Sequence, residues 1–156
     1  MKSTKAMRFT DRLQVLTGQI IDDPLLAGEQ QEKRIIQAFD LCHFIHCFDP
    51  SLEVLDCLYQ DINVVEKNGS RKGIYFWDLL YNKNYYFSNS ALCQSDLAAY
   101  KARYKLTELW FVIVEEGLFS NDTSESTDFI ERYKVTSLYD KVFHFNYTHS
   151  TVKTLI

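Results

Sequence analysis

Asp78 and Lys101 are the residues of this 156-residue chain whose types and positions most directly suggest chemistry. Asp78 follows the apolar run Ile74-Tyr75-Phe76-Trp77, so a carboxylate stands where a strand is expected to surface. Lys101 lies in Ala98-Ala99-Tyr100-Lys101-Ala102-Arg103, a helical stretch between that strand and the apolar run Leu109 to Val114. Carboxylates from adjacent strands can hold one or two divalent cations that activate water and steady a leaving oxygen, while a lysine stabilises the developing charge. Asp61 and Glu66, which flank Ile62-Asn63-Val64-Val65, are placed to reach an edge of such a site. The weak point is the aromatic strand expected at Tyr85 to Phe87. Around Ser88 it offers Ser and Asn where a second carboxylate would be needed. Each of these residues also has an ordinary use, because strand-end acids cap turns and helix lysines solubilise.

Other candidates are weaker. In Cys42-His43-Phe44-Ile45-His46-Cys47, the pairs Cys42/His46 and His43/Cys47 are four apart on one expected helix, a spacing at which two ligands can meet one metal. A tetrahedral zinc site needs a second pair, and none stands out. His43 as a single ligand in a carboxylate-rich site is the more workable alternative. The 4 cysteines lack paired CxxC spacing and read as free thiols. Arg71-Lys72-Gly73 is a basic turn able to touch phosphate or simply to sit in solvent.

The elements that must position these groups can be drawn from periodicity. Phe9, Leu13, Leu16 and Ile20 recur at helical spacing until Asp22-Asp23-Pro24, and a longer helix is expected from Gly28 to Phe48. Ser51 reads as the start of a short helix through Leu58. Asp61 to Glu66 alternates like a strand and Asn68-Gly69 is a hairpin turn. After the strand ending at Asp78 come a turn at Asn82 to Asn84, the aromatic strand, a helix from Gln94 to Lys105 and a buried strand at Leu109 to Val114. Ser120 to Asp128 is a polar loop, Asp128 to Tyr133 a short helix, Lys141 to Tyr147 a last strand, and the tail a frayed end or the start of a helix. The order describes one α+β domain over residues 1–156, with helices packed around a mixed central β-sheet whose middle is Leu109 to Val114.

Bulk properties agree with a compact domain. Hydrophobic residues make up 46% and aromatics 15%, with 2 prolines, and a chain this long hides roughly 70% of its unfolded surface. The net charge of −4 argues against a domain that grips nucleic acid by itself. No apolar run approaches the roughly 18 residues of a membrane span, and the charged N-terminus is unlike a signal peptide, so a soluble intracellular protein is expected.

Asp78-Leu79-Leu80-Tyr81, the aromatic strand after it, Ser95-Asp96-Leu97 with Ala99-Tyr100-Lys101-Ala102, and the strand ending Glu115-Glu116-Gly117 resemble a known family. It is the N-terminal cap-snatching endonuclease domain of the orthomyxovirus polymerase acidic subunit, with spacing closest to its thogotovirus-type members. The helix ending Cys42-His43-Phe44-Ile45-His46-Cys47-Phe48 resembles that domain's helix with a histidine metal ligand. The resemblance runs from Glu29 to Tyr147 as a pattern of order and spacing with few identities. It implies a PD-(D/E)xK nuclease-like fold, with His43, Asp61 and Asp78 as metal ligands and Lys101 as the catalytic lysine. The family's second-strand glutamate falls at Ser88 or a neighbour, a lost carboxylate, and Trp77 stands where the family usually has proline.

Loss of a charged ligand implies a degenerate site that binds no metal tightly and has little or no nuclease activity. The expectation is therefore a structural and interaction domain in viral transcription, bound to the other subunits of a heterotrimeric RNA polymerase in the host nucleus, touching RNA weakly and membranes not at all. Two alternatives stand beside it. One is an active Mn²⁺- or Mg²⁺-dependent RNA endonuclease for cap-snatching, in which His43, Asp61, Asp78 and Lys101 converge on one cleft. The other is an unrelated α+β interaction domain.

Overall fold

The computed structural model describes residues 9–25, 28–56, 62–78, 94–115, 128, 130–132 and 134–155, with the side chains of Lys33, Asp56, Asp78 and Gln94 outside that description. Two helices come first, α1 (Phe9–Asp22) and α2 (Glu29–Phe48). Three strands follow, β1 (Glu53–Asp56), β2 (Ile62–Lys67) and β3 (Ser70–Asp78), then α3 (Gln94–Tyr104) and β4 (Glu108–Glu115). A 3-10 turn at Val135–Ser137 leads into β5 (Lys141–Asn146) and β6 (Thr151–Thr154). The strands form one six-stranded sheet in chain order. β3, β4 and β5 run parallel, and the remaining neighbours are antiparallel. The domain is therefore α+β with a mixed sheet. Among the described residues no helix is long and apolar enough to cross a membrane.

The unbroken apolar run predicted to sit mid-sheet is β4, paired with β3 on one side and β5 on the other. Side chains alternate across a strand, so its two residue sets feed two cores. Trp110, Val112 and Val114 join α1 and α2 through Leu16, Ile20, Leu41, Phe44 and Ile45. Leu109, Phe111 and Ile113 join the α3 layer through Leu97, Leu106, Val135 and Tyr139. Phe111, Val112, Ile113 and Val114 are all fully buried, and side chains of this kind contribute roughly 1.5–3 kcal/mol each.

Local choices explain the turns. Asn68 and Gly69 both take positive φ, 54° and 78°, as the two-residue β2–β3 hairpin requires. The predicted helix at Ser51 to Leu58 is instead β1 over its described part. Ser51 does not act as a helix cap because Asp49 Oδ1 accepts both its N–H and its hydroxyl, at 3.1 and 2.6 Å. Leu52 is then buried and Val54 pairs with Val65. The tail is a strand rather than a frayed end or a helix. Asn146 Oδ1 accepts the His149 N–H and Ser150 takes a φ of 51°, which turns Thr151 back opposite Asn146. Arg71-Lys72-Gly73 lies within β3 and is not a turn. The expected turn at Asn82 to Asn84, the strand at Tyr85 to Phe87 and the loop from Ser120 lie outside the described residues, apart from the helical Asp128 where that loop ends. The short helix expected at Asp128 to Tyr133 is seen at 128 and 130–132.

Two glycines meet opposite surroundings. A Cβ on Gly73 would fall 2.7 Å from Leu106 Cδ1 and 2.9 Å from Leu109 Cδ2, whereas on Gly18, midway along α1, it would meet nothing within 4 Å. Gly73→Ala is expected to destabilise the domain by about 1–3 kcal/mol through overpacking. Gly18→Ala is expected to stabilise it by about 0.5–1 kcal/mol through helix propensity. Urea denaturation of the two variants should give midpoints on opposite sides of the wild-type value.

Candidate functional site

Lys101 projects from α3 onto the carboxylate of Asp140, the residue before β5, with Nζ 3.1 Å from Oδ2. The same Oδ2 accepts the Leu109 N–H at 2.7 Å, and the Asp140 N–H donates to the Leu109 carbonyl at 2.8 Å. Asp140 therefore extends the β4–β5 ladder by one rung, and Lys101 fastens α3 to it. A cleft of about 280 Å³ opens beside this pair, lined by Leu97, Ala98, Leu138 and Thr136 among others. All of this belongs to the amino-terminal end of β4.

Asp78 closes the other end of the sheet. Its backbone pairs with Val114, five residues along β4 from Leu109, which places it about 16 Å from the Lys101 level. Val114 in turn pairs with Phe145. The row Asp78, Val114, Phe145 crosses the carboxyl ends of the three parallel strands, the end where open α/β sheets usually bind ligands.

His43 stands over that row on the α1/α2 face. Its ring meets Phe145 at 5.0 Å and Tyr147 at 4.5 Å, edge to face, with Phe9 and Phe39 at 5.8 and 6.1 Å. Nε2 lies 3.3 Å from the Ser150 hydroxyl, so the imidazole ties the β5–β6 turn to α2. Nδ1 is buried without a hydrogen-bond partner among the described residues. Burial, with a smaller push from His46, holds the His43 pKa below the ordinary 6.5. Burial also raises the pKa of the neighbouring Cys47 thiol, against a weaker opposing pull from Ser150, which keeps it a thiol rather than a nucleophile.

Of the residues singled out in the sequence, His43 and the backbone of Asp78 thus share the carboxyl end of the parallel strands. Lys101 is at the opposite end and on the opposite face, occupied by Asp140. The four-residue convergence of an active nuclease site therefore fails at its lysine. Asp61 and Ser88 lie outside the described residues. Among the described residues no three His, Cys, Asp or Glu side chains are grouped to hold a metal ion. Cys42 and Cys47 are not joined in a disulfide, whereas Cys57 and Cys93 lie outside the described residues.

A polar pair that the sequence reading passed over lies at the same strand ends on the α3 face. His144, 1% exposed, places Nε2 2.5 Å from Glu115 Oε2. Fully buried Asn146 follows two residues later on the same face. The available signal was a histidine and an asparagine alternating with Phe143 and Phe145 inside an otherwise apolar strand. A carboxylate on one ring nitrogen fixes which nitrogen carries the proton, and the other, Nδ1, is buried without a hydrogen-bond partner among the described residues.

The described basic residues near the sheet are largely neutralised. Lys67 pairs with Asp49 at 2.8 Å and Arg71 with Glu66 at 3.1 Å. Lys72 and Lys141 share Glu108 at 3.8 Å while flanking the Trp110 ring at 5.6 and 5.5 Å. These four side chains therefore leave no uncompensated positive patch between them. Comparison with known proteins found no matching family model and no matching curated protein.

Two outcomes check this geometry. Asp140→Ala removes an acceptor from a backbone N–H and is expected to cost about 1–2 kcal/mol, whereas Lys101→Ala removes only a half-exposed pair and is expected to cost under about 1 kcal/mol. Because the folded His43 pKa is lowered, the unfolded chain binds more protons just below pH 6.5. Stability should therefore fall as pH drops through that value. Urea midpoints at pH 7 and pH 5 are expected to differ less in His43→Phe than in wild type.

Proposed function

We propose that this chain is a non-catalytic interaction domain of nuclease-like ancestry. Its more specific form is the N-terminal endonuclease-like domain of a viral RNA polymerase acidic subunit, with a degenerate metal site and a structural role in viral transcription. On that reading its partners are the other polymerase subunits in the host nucleus.

The observation that carries the non-catalytic reading is the position of Lys101. A catalytic lysine must lie within reach of the metal-bound oxygens it stabilises. Here the ammonium is bound to Asp140 some 16 Å along β4 from the Asp78 row, beyond the reach of any lysine side chain. Support for the nuclease-like ancestry is the order α2, three-stranded meander, α3, parallel β4, with α2 and α3 on opposite faces. The charge pairing of Lys67, Arg71, Lys72 and Lys141 is in keeping with weak RNA contact at most.

One observation favours a second reading, an α+β interaction domain unrelated to nucleases. The His43 ring is held in an aromatic cage and Nε2 contacts Ser150, as expected of a packing residue. Both readings expect the purified chain to leave single-stranded RNA intact in Mn²⁺. Both also expect a negligible rise in melting temperature, since only a ligand bound by the native state stabilises it. RNA cleavage abolished by Asp78→Ala would overturn both. A Mn²⁺-induced rise lost in His43→Ala and Asp78→Ala, without cleavage, would favour the nuclease-derived form over the unrelated one.

A further inference from the structure

The outward face of α1 has a composition that no contact among the described residues explains. The inward row, Phe9, Arg12, Leu13, Leu16 and Ile20, packs on α2 and the sheet or is buried beside them. At 100° per residue the opposite face is centred on Gly18, with Val15 and Ile21 to either side. These two are 50% and 56% exposed, and Leu25, just past the helix end, is 82% exposed. Glycine lowers helix stability relative to alanine, and here no neighbour requires it, because an added Cβ would meet open space. What glycine provides at such a position is room for another backbone to come close, flanked by two apolar side chains.

Among the described residues of α1 and the turn after it, the exposed charges have one sign. Asp11 and Asp22 are exposed near its two ends and Asp23 is partly exposed just beyond. Arg12, the one basic residue of α1, is 8% exposed and donates to the Pro50 carbonyl. An apolar strip with acids at both ends fits a helix that carries an apolar stripe flanked by lysines or arginines. A second copy of this chain fits poorly. Two α1 faces crossing at Gly18 would bring acids against acids.

We propose that the outer face of α1 docks a basic amphipathic helix from another protein, seated across Gly18 between Val15 and Ile21. This rests on the reading of the chain as an interaction domain and adds the surface and the chemistry of the partner.

The test uses the full chain and two labelled helical peptides of about 18 residues, one with a leucine stripe flanked by lysines and one with the same stripe flanked by glutamates. Fluorescence anisotropy is expected to show saturable binding of the lysine peptide alone. Gly18→Gln fills the open space without changing charge. It should weaken binding by about tenfold or more, 1.4 kcal/mol, while the melting temperature stays level or rises. Asp11→Asn with Asp22→Asn should weaken binding and flatten its salt dependence. Equal binding of the two peptides, no saturable binding, or unchanged affinity in Gly18→Gln would overturn the proposal. So would concentration-dependent self-association removed by Gly18→Gln, which would assign the face to a second copy. Mn²⁺-dependent RNA cleavage would overturn the interaction-domain reading, whereas failed peptide binding without cleavage would remove only this docking face.

Discussion

The structure depends on β4 being covered on both faces. Four consecutive side chains, Phe111 to Val114, are fully buried and alternate in direction, so the strand must lie inside the sheet with a helical layer above and below. α1 and α2 supply one layer and α3 contributes to the other. The consequence for function is geometric. Groups on α2 and α3 are divided by a full sheet, and they can meet only around its ends. His43 is at the carboxyl ends of the parallel strands and Lys101 near the amino ends, so these two side chains cannot build one site together.

Most of this architecture was legible in the sequence, for physical reasons that differ between elements. α1 and α2 show in the 3.6-residue spacing of Phe9, Leu13, Leu16 and Ile20 and in the stops at Pro24 and Pro50. The β2–β3 hairpin shows in Asn68-Gly69, because positive φ at two successive residues strongly favours those side chains. β1 and β6 were misjudged because neither is stable by itself. Each has four residues, and each is held by an inner strand and by one carboxyl or amide side chain, Asp49 or Asn146, that shapes the turn before it. Such contacts depend on where the chain returns, which periodicity does not encode. The same short lengths, with Glu53 on one edge and Lys153 on the other, discourage pairing of these edges with other chains.

The candidate site was less legible than the fold. Residue type and spacing identify which groups are able to do chemistry, but not which are already engaged. His43 reads as a ligand from its place on a long helix, yet it is surrounded by four aromatic rings contributed by α1, α2, β5 and the turn after it. His144 drew no notice within an apolar strand, yet it is among the most buried polar groups in the chain. With both faces of a sheet covered, alternation tells that His144 and Asn146 share a face. It does not tell that this face is dry.

Lys101 shows why a helix lysine before a buried strand is ambiguous. The ammonium needs an oxygen partner, and in this topology two kinds are available. One is the cluster of strand ends beyond Asp78, and the other is the start of the neighbouring parallel strand. Lys101 sits three residues, less than one turn, from the C-terminus of α3, and the chain enters β4 almost at once, through Lys105, Leu106 and Thr107. That short connection brings the last turn of α3 to the beginning of β4, where Asp140 already accepts the Leu109 N–H. A parallel crossover returns the chain to the same end of the sheet from which the preceding strand started. A lysine late in the crossover helix is therefore delivered to strand beginnings, and one early in the helix to strand ends. For a residue in the second half of α3, the topology alone favours the structural role over the catalytic one.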